Sequence, residues 1–141
     1  MRVPSALLAA PWLIAAVPAL AETAPYADLP GTTWMATEWN GVAPKPGLAP
    51  RLTFDPGNRF VAYAGCNRHM GRYTVRDDLV AFEHQVSTKM ACYGERGETD
   101  ERLIADLKRT QRLALESDGT LVAGAGDSAL IWRFRRAATR N

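Results

Sequence analysis

The side chains most capable of chemistry lie between positions 66 and 92: two cysteines, Cys66 and Cys92, and two histidines, His69 and His84. Two thiols and two imidazoles are a ligand set that zinc favours. The spacing argues against that use, because His84 and Cys92 are eight apart and the usual short second pair is missing. Cys66 could instead act as a nucleophile with His69 as its base. Three residues of extended or irregular chain do not guarantee that contact, and no Gly-x-Ser-x-Gly or His-Glu-x-x-His motif offers another centre. A cysteine- or zinc-dependent hydrolase is therefore the alternative reading, and a non-enzymatic module is the first. The thiols can also be joined to each other, closing a loop of about 26 residues worth on the order of 3.5 kcal/mol in the chain-entropy model. A bond, two free thiols and a metal site all remain open from spacing alone.

Polar residues flank both cysteines: Asn67 and Arg68 after the first, Ser87, Thr88 and Lys89 before the second. A bond between Cys66 and Cys92 would gather these five into a compact cationic patch suited to an anionic headgroup or a partner's loop. The competing expectation is that they satisfy the polar ends of strands. No metal and no cofactor is assigned.

The elements that must position this patch are short strands. Arg72–Val75 and Leu79–Phe82 are separated by Asp77-Asp78, whose carboxylates favour a turn. Arg51–Phe54 and Arg59–Ala64 flank Asp55-Pro56-Gly57-Asn58, a hairpin signal. In the second of these, Phe60, Ala62 and Ala64 share one face and Val61 and Tyr63 the other. Neither face is polar, which predicts a strand covered on both sides. Thr32–Trp39 reads as a strand stopped by Asn40-Gly41, and the proline-rich stretch 42–50 as a loop, a connection or the rim of a binding site. After Cys92, Glu98-Thr99-Asp100-Glu101 opens a helix with Thr99 as its N-cap, Leu103, Ile104 and Leu107 as its apolar face, and Lys108-Arg109 in its last turn. Leu113–Leu115 and Leu121–Val122 form a further hairpin. In the closing strand Leu130, Trp132 and Phe134 alternate with Ile131, Arg133 and Arg135.

These short strands and one helix predict a mainly β, α+β fold: a small antiparallel curled sheet or lipocalin-like barrel with one packed helix. Trp34, Trp39 and Trp132 are either core residues or the walls of an apolar ligand site between the sheet and the Leu103–Leu107 helix, with Asn67, Arg68 and Lys89 at its mouth. Arg133, Arg135, Arg136 and Arg140 read as a solvated tail or as an attraction to anionic lipid.

The chain of 141 residues is one domain in size. Met1–Ala21 carries a single charge, Arg2, an apolar run broken by Pro4, Pro11 and Pro18, and an Ala19-Leu20-Ala21 ending, which predicts a cleaved export signal. Residues 22–28 read as a flexible lead-in, 29–136 as the domain and 137–141 as a tail. Removing the signal lowers the formal charge from +2 to +1, too near neutral to imply a nucleic-acid partner. The expected product is a periplasmic monomer with no stable membrane insertion. Export also favours the bonded state of the two cysteines, since exported thiols meet an oxidising compartment.

Several motifs together carry a family resemblance: Leu-Pro-Gly-Thr-Thr-Trp (29–34), Leu-Thr-Phe (52–54), Ala-Gly-Cys-Asn-Arg (64–68), Ser-Thr-Lys-Met-Ala-Cys (87–92), an acidic helix start and Leu-Ile-Trp-Arg-Phe (130–134). The chain resembles the META domain family, which includes HslJ-type heat-shock proteins. The resemblance implies a small, mostly antiparallel β-structure with one helix, in cell-envelope proteins linked to stress tolerance. It carries over no catalytic residues. HslJ-like proteins are often lipid-anchored, whereas here no cysteine lies near the cleavage site. The function expected is a META module supporting envelope stress tolerance by binding an envelope protein or a small apolar or lipid ligand.

Overall fold

The structure, a computed structural model, describes Tyr26 and residues 28–126 and 129–138, apart from the Gln85 side chain. The export signal, most of the lead-in and Arg140 lie outside the described residues. Among the described residues there are eight strands, one for each strand segment read in the sequence: β1 (Thr32–Trp39), β2 (Arg51–Asp55), β3 (Arg59–Tyr63), β4 (Arg68–Arg76), β5 (Leu79–Ser87), β6 (Arg112–Leu115), β7 (Leu121–Ala125) and β8 (Ala129–Arg136). They close in sequence order into an antiparallel barrel. One helix, α1 (Glu95–Arg109), lies between β5 and β6 in the chain. Tight turns make this order: Asn58 and Asp77 take left-handed φ values of 57° and 56° at two of the hairpin tips, where Asn and Asp are tolerated better than most residues.

Strand alternation fills the interior. Leu52 and Phe54 of β2, Phe60 and Ala62 of β3, Tyr73 of β4, Leu121 and Ala123 of β7 and Phe134 of β8 are all buried. The small alanines leave room for rings, which meet edge to face at 4.9 Å between Phe54 and Tyr73 and 5.1 Å between Phe60 and Phe82. At Gly71 a Cβ would sit 2.0 Å from the Glu83 carbonyl oxygen and 2.8 Å from the Phe60 ring. Glycine therefore lets β4 and β5 approach over a large aromatic, beside a β-bulge between Met70 and Gly71. A second bulge makes Ile131 an extra residue between the Ala123–Trp132 and Gly124–Leu130 pairs. It breaks the alternation expected for the closing strand, and Ile131 is buried beside Trp132.

Trp34, Trp39 and Trp132 belong to this core. The Trp34 indole donates to Thr32 Oγ1 at 2.7 Å and that of Trp39 to Asp106 Oδ2 at 2.7 Å. All three tryptophans are 7% exposed or less.

β5 and β6 share one paired position, Leu79 with Arg112, and α1, which joins them in the chain, packs against β5 and β3. The helix starts at Glu95 after Gly94, so Thr99 lies within it and is not its N-cap. Gly97, which reads as a loop residue, is helical; a Cβ there would lie 2.6 Å from the Cys92 carbonyl oxygen. That close approach, invisible in the sequence pattern, moves the helix start upstream. Leu103 and Leu107 are buried, as are two acids, Asp100 and Asp106.

Two loop readings change as well. Tyr26 of the lead-in packs on the core and donates its hydroxyl hydrogen to the Leu113 carbonyl. The 42–50 loop borders a recess of about 170 Å³ with Trp39, Glu95 and Arg102, below the size range of ligand pockets. Arg133, Arg135 and Arg136 belong to β8: Arg133 pairs with Glu116 at 2.9 Å and Arg135 with Asp118 at 3.3 Å.

Candidate functional site

β3 ends at Tyr63, and the chain turns through Gly65, whose φ is 89° and whose added Cβ would lie 2.7 Å from Leu48 Cδ2. This crowded turn delivers Cys66 to Cys92, to which it is disulfide-bonded, with the two Cα atoms 6.2 Å apart. The bond occupies both sulfurs that a cysteine nucleophile or a zinc site would need. Among the described residues no group of three or more His, Cys, Asp or Glu side chains is placed to hold a metal ion.

Around the bond, Asp100 of α1 organises the polar residues. Its Oδ1 accepts from the Asn67 backbone N–H at 3.0 Å and faces His69 Nε2 at 2.9 Å, while Oδ2 accepts from Asn67 Nδ2 at 3.0 Å. Burial pushes the Asp100 carboxyl up, but the Asn67 and His69 hydrogen bonds outweigh it, and the group ionises below the ordinary carboxylate range. The other face of Asn67 is engaged too, Oδ1 accepting from the Met90 N–H at 2.8 Å and from Thr88 Oγ1 at 3.1 Å. Thr88 Oγ1 in turn accepts from the Arg68 N–H at 3.0 Å. His69, 1% exposed, places Nδ1 2.7 Å from Ser87 Oγ, which lies 2.7 Å from His84 Nε2.

An ionised Asp100 accepts a hydrogen from His69 Nε2, and the Ser87 hydroxyl lies between His69 Nδ1 and His84 Nε2. The sequence Asp–His–Ser contains the groups of an acyl-transfer triad with the two ring nitrogens exchanged. Its hydroxyl, however, is held between two imidazoles, and Ser87 does not line the groove described next. The network ties β4, β5 and α1 together. It is the polar counterpart of the disulfide.

The expected five-residue patch therefore divides. Asn67 and Ser87 have their polar atoms committed to the network, and Thr88 has its hydroxyl there. Arg68 and Lys89 are exposed, and their side chains have no hydrogen-bond or ion-pair partner among the described residues.

Arg68 faces outward into a groove of about 740 Å³ lined by Arg51, Thr53, Val61, Tyr63, Cys66, Arg68, Thr88, Met90 and Arg96. Its floor is set by register: Arg51 of β2 pairs with Tyr63 of β3, and Tyr63 with Arg68 of β4. These three form one row across adjacent strands, on the face opposite Leu52, Ala62 and His69. Thr53 and Val61 form part of the next row. Arg96, in the first turn of α1, is fixed by two N–H bonds to the Gly65 carbonyl, at 2.8 and 2.5 Å. No carboxylate lines the groove, whereas Arg109, Arg112, Arg133 and Arg135 each pair with one elsewhere.

Val61 and Tyr63 are half-buried here, so the outer face of β3 is open to a groove and not covered as its apolar character predicts. Arg51, Thr53, Val61, Tyr63, Met90 and Arg96 are thus site residues that the sequence reading missed. The signal available was the two-residue alternation of β2 and β3, which set Arg51 and Tyr63 on the face away from Leu52 and Ala62.

The META domain profile matches residues 27–138. An NMR structure of a protein from Burkholderia xenovorans is similar in fold, with a TM-score of 0.62 at 23% sequence identity over 79% of this chain and 85% of that one. No curated protein matches the chain. Among the described residues no helix is long and apolar enough to cross a membrane. The chain belongs to the META domain family.

Proposed function

We propose that this protein is an exported, non-enzymatic META module that supports envelope stress tolerance by binding, and that the outer groove of β2–β4 is its binding surface. The observation that carries the reading is the contrast between a lumen filled by rings and a 740 Å³ groove whose arginines face no carboxylate. The disulfide supports export to an oxidising compartment. The bonded sulfurs and the doubly held Ser87 hydroxyl speak against hydrolytic chemistry.

The test has three arms. N-terminal sequencing from fractionated cells should give a periplasmic chain beginning at or near Glu22. A serine-directed fluorophosphonate should leave Ser87 unlabelled; labelling would revive a hydrolase. A deletion strain under envelope stress should regain tolerance with the native chain and not with the Arg51→Gln, Arg68→Gln double variant. Full rescue by that variant would remove the groove from the function.

A further inference from the structure

We propose that the groove takes a small amphipathic anion, its oxyanion head held between Arg51 and Arg68 and its apolar body laid against Tyr63, Val61 and Met90. This rests on the groove being the working surface and names the chemistry of its ligand.

The register fixes the head site. Arg51, Tyr63 and Arg68 are direct cross-strand neighbours, and strands lie about 4.8 Å apart. Two guanidinium-bearing positions therefore flank one phenol ring, separated at the backbone by about twice that spacing. Each guanidinium offers parallel N–H donors that match the two oxygens of a carboxylate, sulfonate or phosphate. Neither guanidinium has a hydrogen-bond or ion-pair partner among the described residues. Arg96 adds a third positive charge on the helix side of the groove.

The body site follows from the rest of the lining. Val61, Tyr63 and Met90 supply apolar surface, while the Thr53 hydroxyl is already engaged with Thr33 at 3.1 Å and that of Thr88 with Asn67 and the Arg68 amide. What faces the groove is thus cationic and apolar, with few free neutral donors. That combination selects a charged head on an apolar body over a sugar or a bare ion. A cation meets no carboxylate here. The volume lies within the range of small-ligand sites, and a cleft lined by charge of one sign focuses the field of its arginines.

The test is calorimetric titration of the oxidised mature chain with decyl phosphate and decanoate below their micelle concentrations. Inorganic phosphate, decanol and decyltrimethylammonium serve as controls. Saturable one-to-one binding of the two anionic amphiphiles is expected, at least about tenfold tighter than any control. Amide shifts at Val61, Tyr63 and Thr88 should locate the ligand by NMR. Arg51→Gln and Arg68→Gln should each weaken binding by about tenfold or more, while Arg133→Gln, outside the groove, leaves it unchanged.

Equal binding of the cationic amphiphile, or unchanged affinity in both groove variants, overturns the inference. So does association with anionic vesicles when no monomeric amphiphile binds. If no amphiphile binds yet the double variant still fails to restore stress tolerance, the ligand assignment falls and the groove reading stands. If the double variant restores tolerance in full, both fall.

Discussion

The inner and outer faces of β2 and β3 are made by alternate residues of the same ten positions, yet they do opposite work. Inward, Leu52, Phe54, Phe60 and Ala62 are essentially without exposure, and Phe54 and Phe60 meet the rings of Tyr73 in β4 and Phe82 in β5. Outward, Arg51, Thr53, Val61 and Tyr63 border a wide groove. An eight-stranded barrel either fills its lumen with side chains or holds one small ligand there; here buried rings occupy the lumen and the groove lies outside it. On the proposed reading, stability resides in the interior and its polar cap, and recognition on the side of the sheet that the core leaves free.

That division can be broken by measurement, and the largest effect should come from the interior. Phe54→Ala, at a position with 0% exposure, is expected to cost about 3–5 kcal/mol in urea unfolding. The adjacent outward change Thr53→Ser should stay within about 0.5 kcal/mol. Equal costs would mean that the two faces are not energetically distinct.

Next in size is the disulfide, which belongs to both regions because Cys66 also lines the groove. Reduction should lower stability by about 3.5 kcal/mol for a loop of 26 residues, a fall of several degrees or more in Tm. Unreduced mass spectrometry should show a mass two hydrogens below the dithiol. Two free thiols in periplasmic material would refute both expectations.

A smaller effect should appear in acid, in the polar cap. Asp100 ionises below its ordinary value of 3.8 in the folded state, so the unfolded chain takes up its proton first as pH falls. Its contribution is complete above the ordinary carboxyl range, fades as pH drops through 3.8 and is lost below the lowered folded-state value. Comparing native and Asp100→Asn melting between pH 6 and 2 should show a steeper acid loss in the native chain. Parallel curves would show that Asp100 is not a linkage site.

The smallest effect sharpens the comparison from the other side. Arg51→Gln and Arg68→Gln should each change unfolding free energy by no more than about 0.5 kcal/mol, because neither side chain has a partner to lose among the described residues. Differential scanning calorimetry would check this. A loss of several degrees would make these arginines structural and undo the separation of faces.

Local patterning was enough to read several parts of this molecule. The Asp55–Asn58 and Asp77-Asp78 turns, the alternation of Phe60, Ala62 and Ala64, and the Leu103 and Leu107 face of the helix are effects of neighbours in sequence, and the structure has each of them. The motifs at 29–34, 52–54, 64–68, 87–92 and 130–134 were sufficient for the family. Whatever depends on residues far apart in sequence needed the tertiary structure. Asp100 reads only as a helix-start acid, yet it is buried where it meets Asn67 and His69 from another part of the chain. Gly97 reads as loop because its reason for being glycine is the Cys92 carbonyl. Arg51 carries no motif of its own, and only the register of β2, β3 and β4 sets it beside Tyr63 and Arg68. Turn chemistry and side-chain period act over a few residues and are written locally, whereas barrel closure and register are collective, so the sequence by itself determined the strands and the fold decided which of their outward residues stand together.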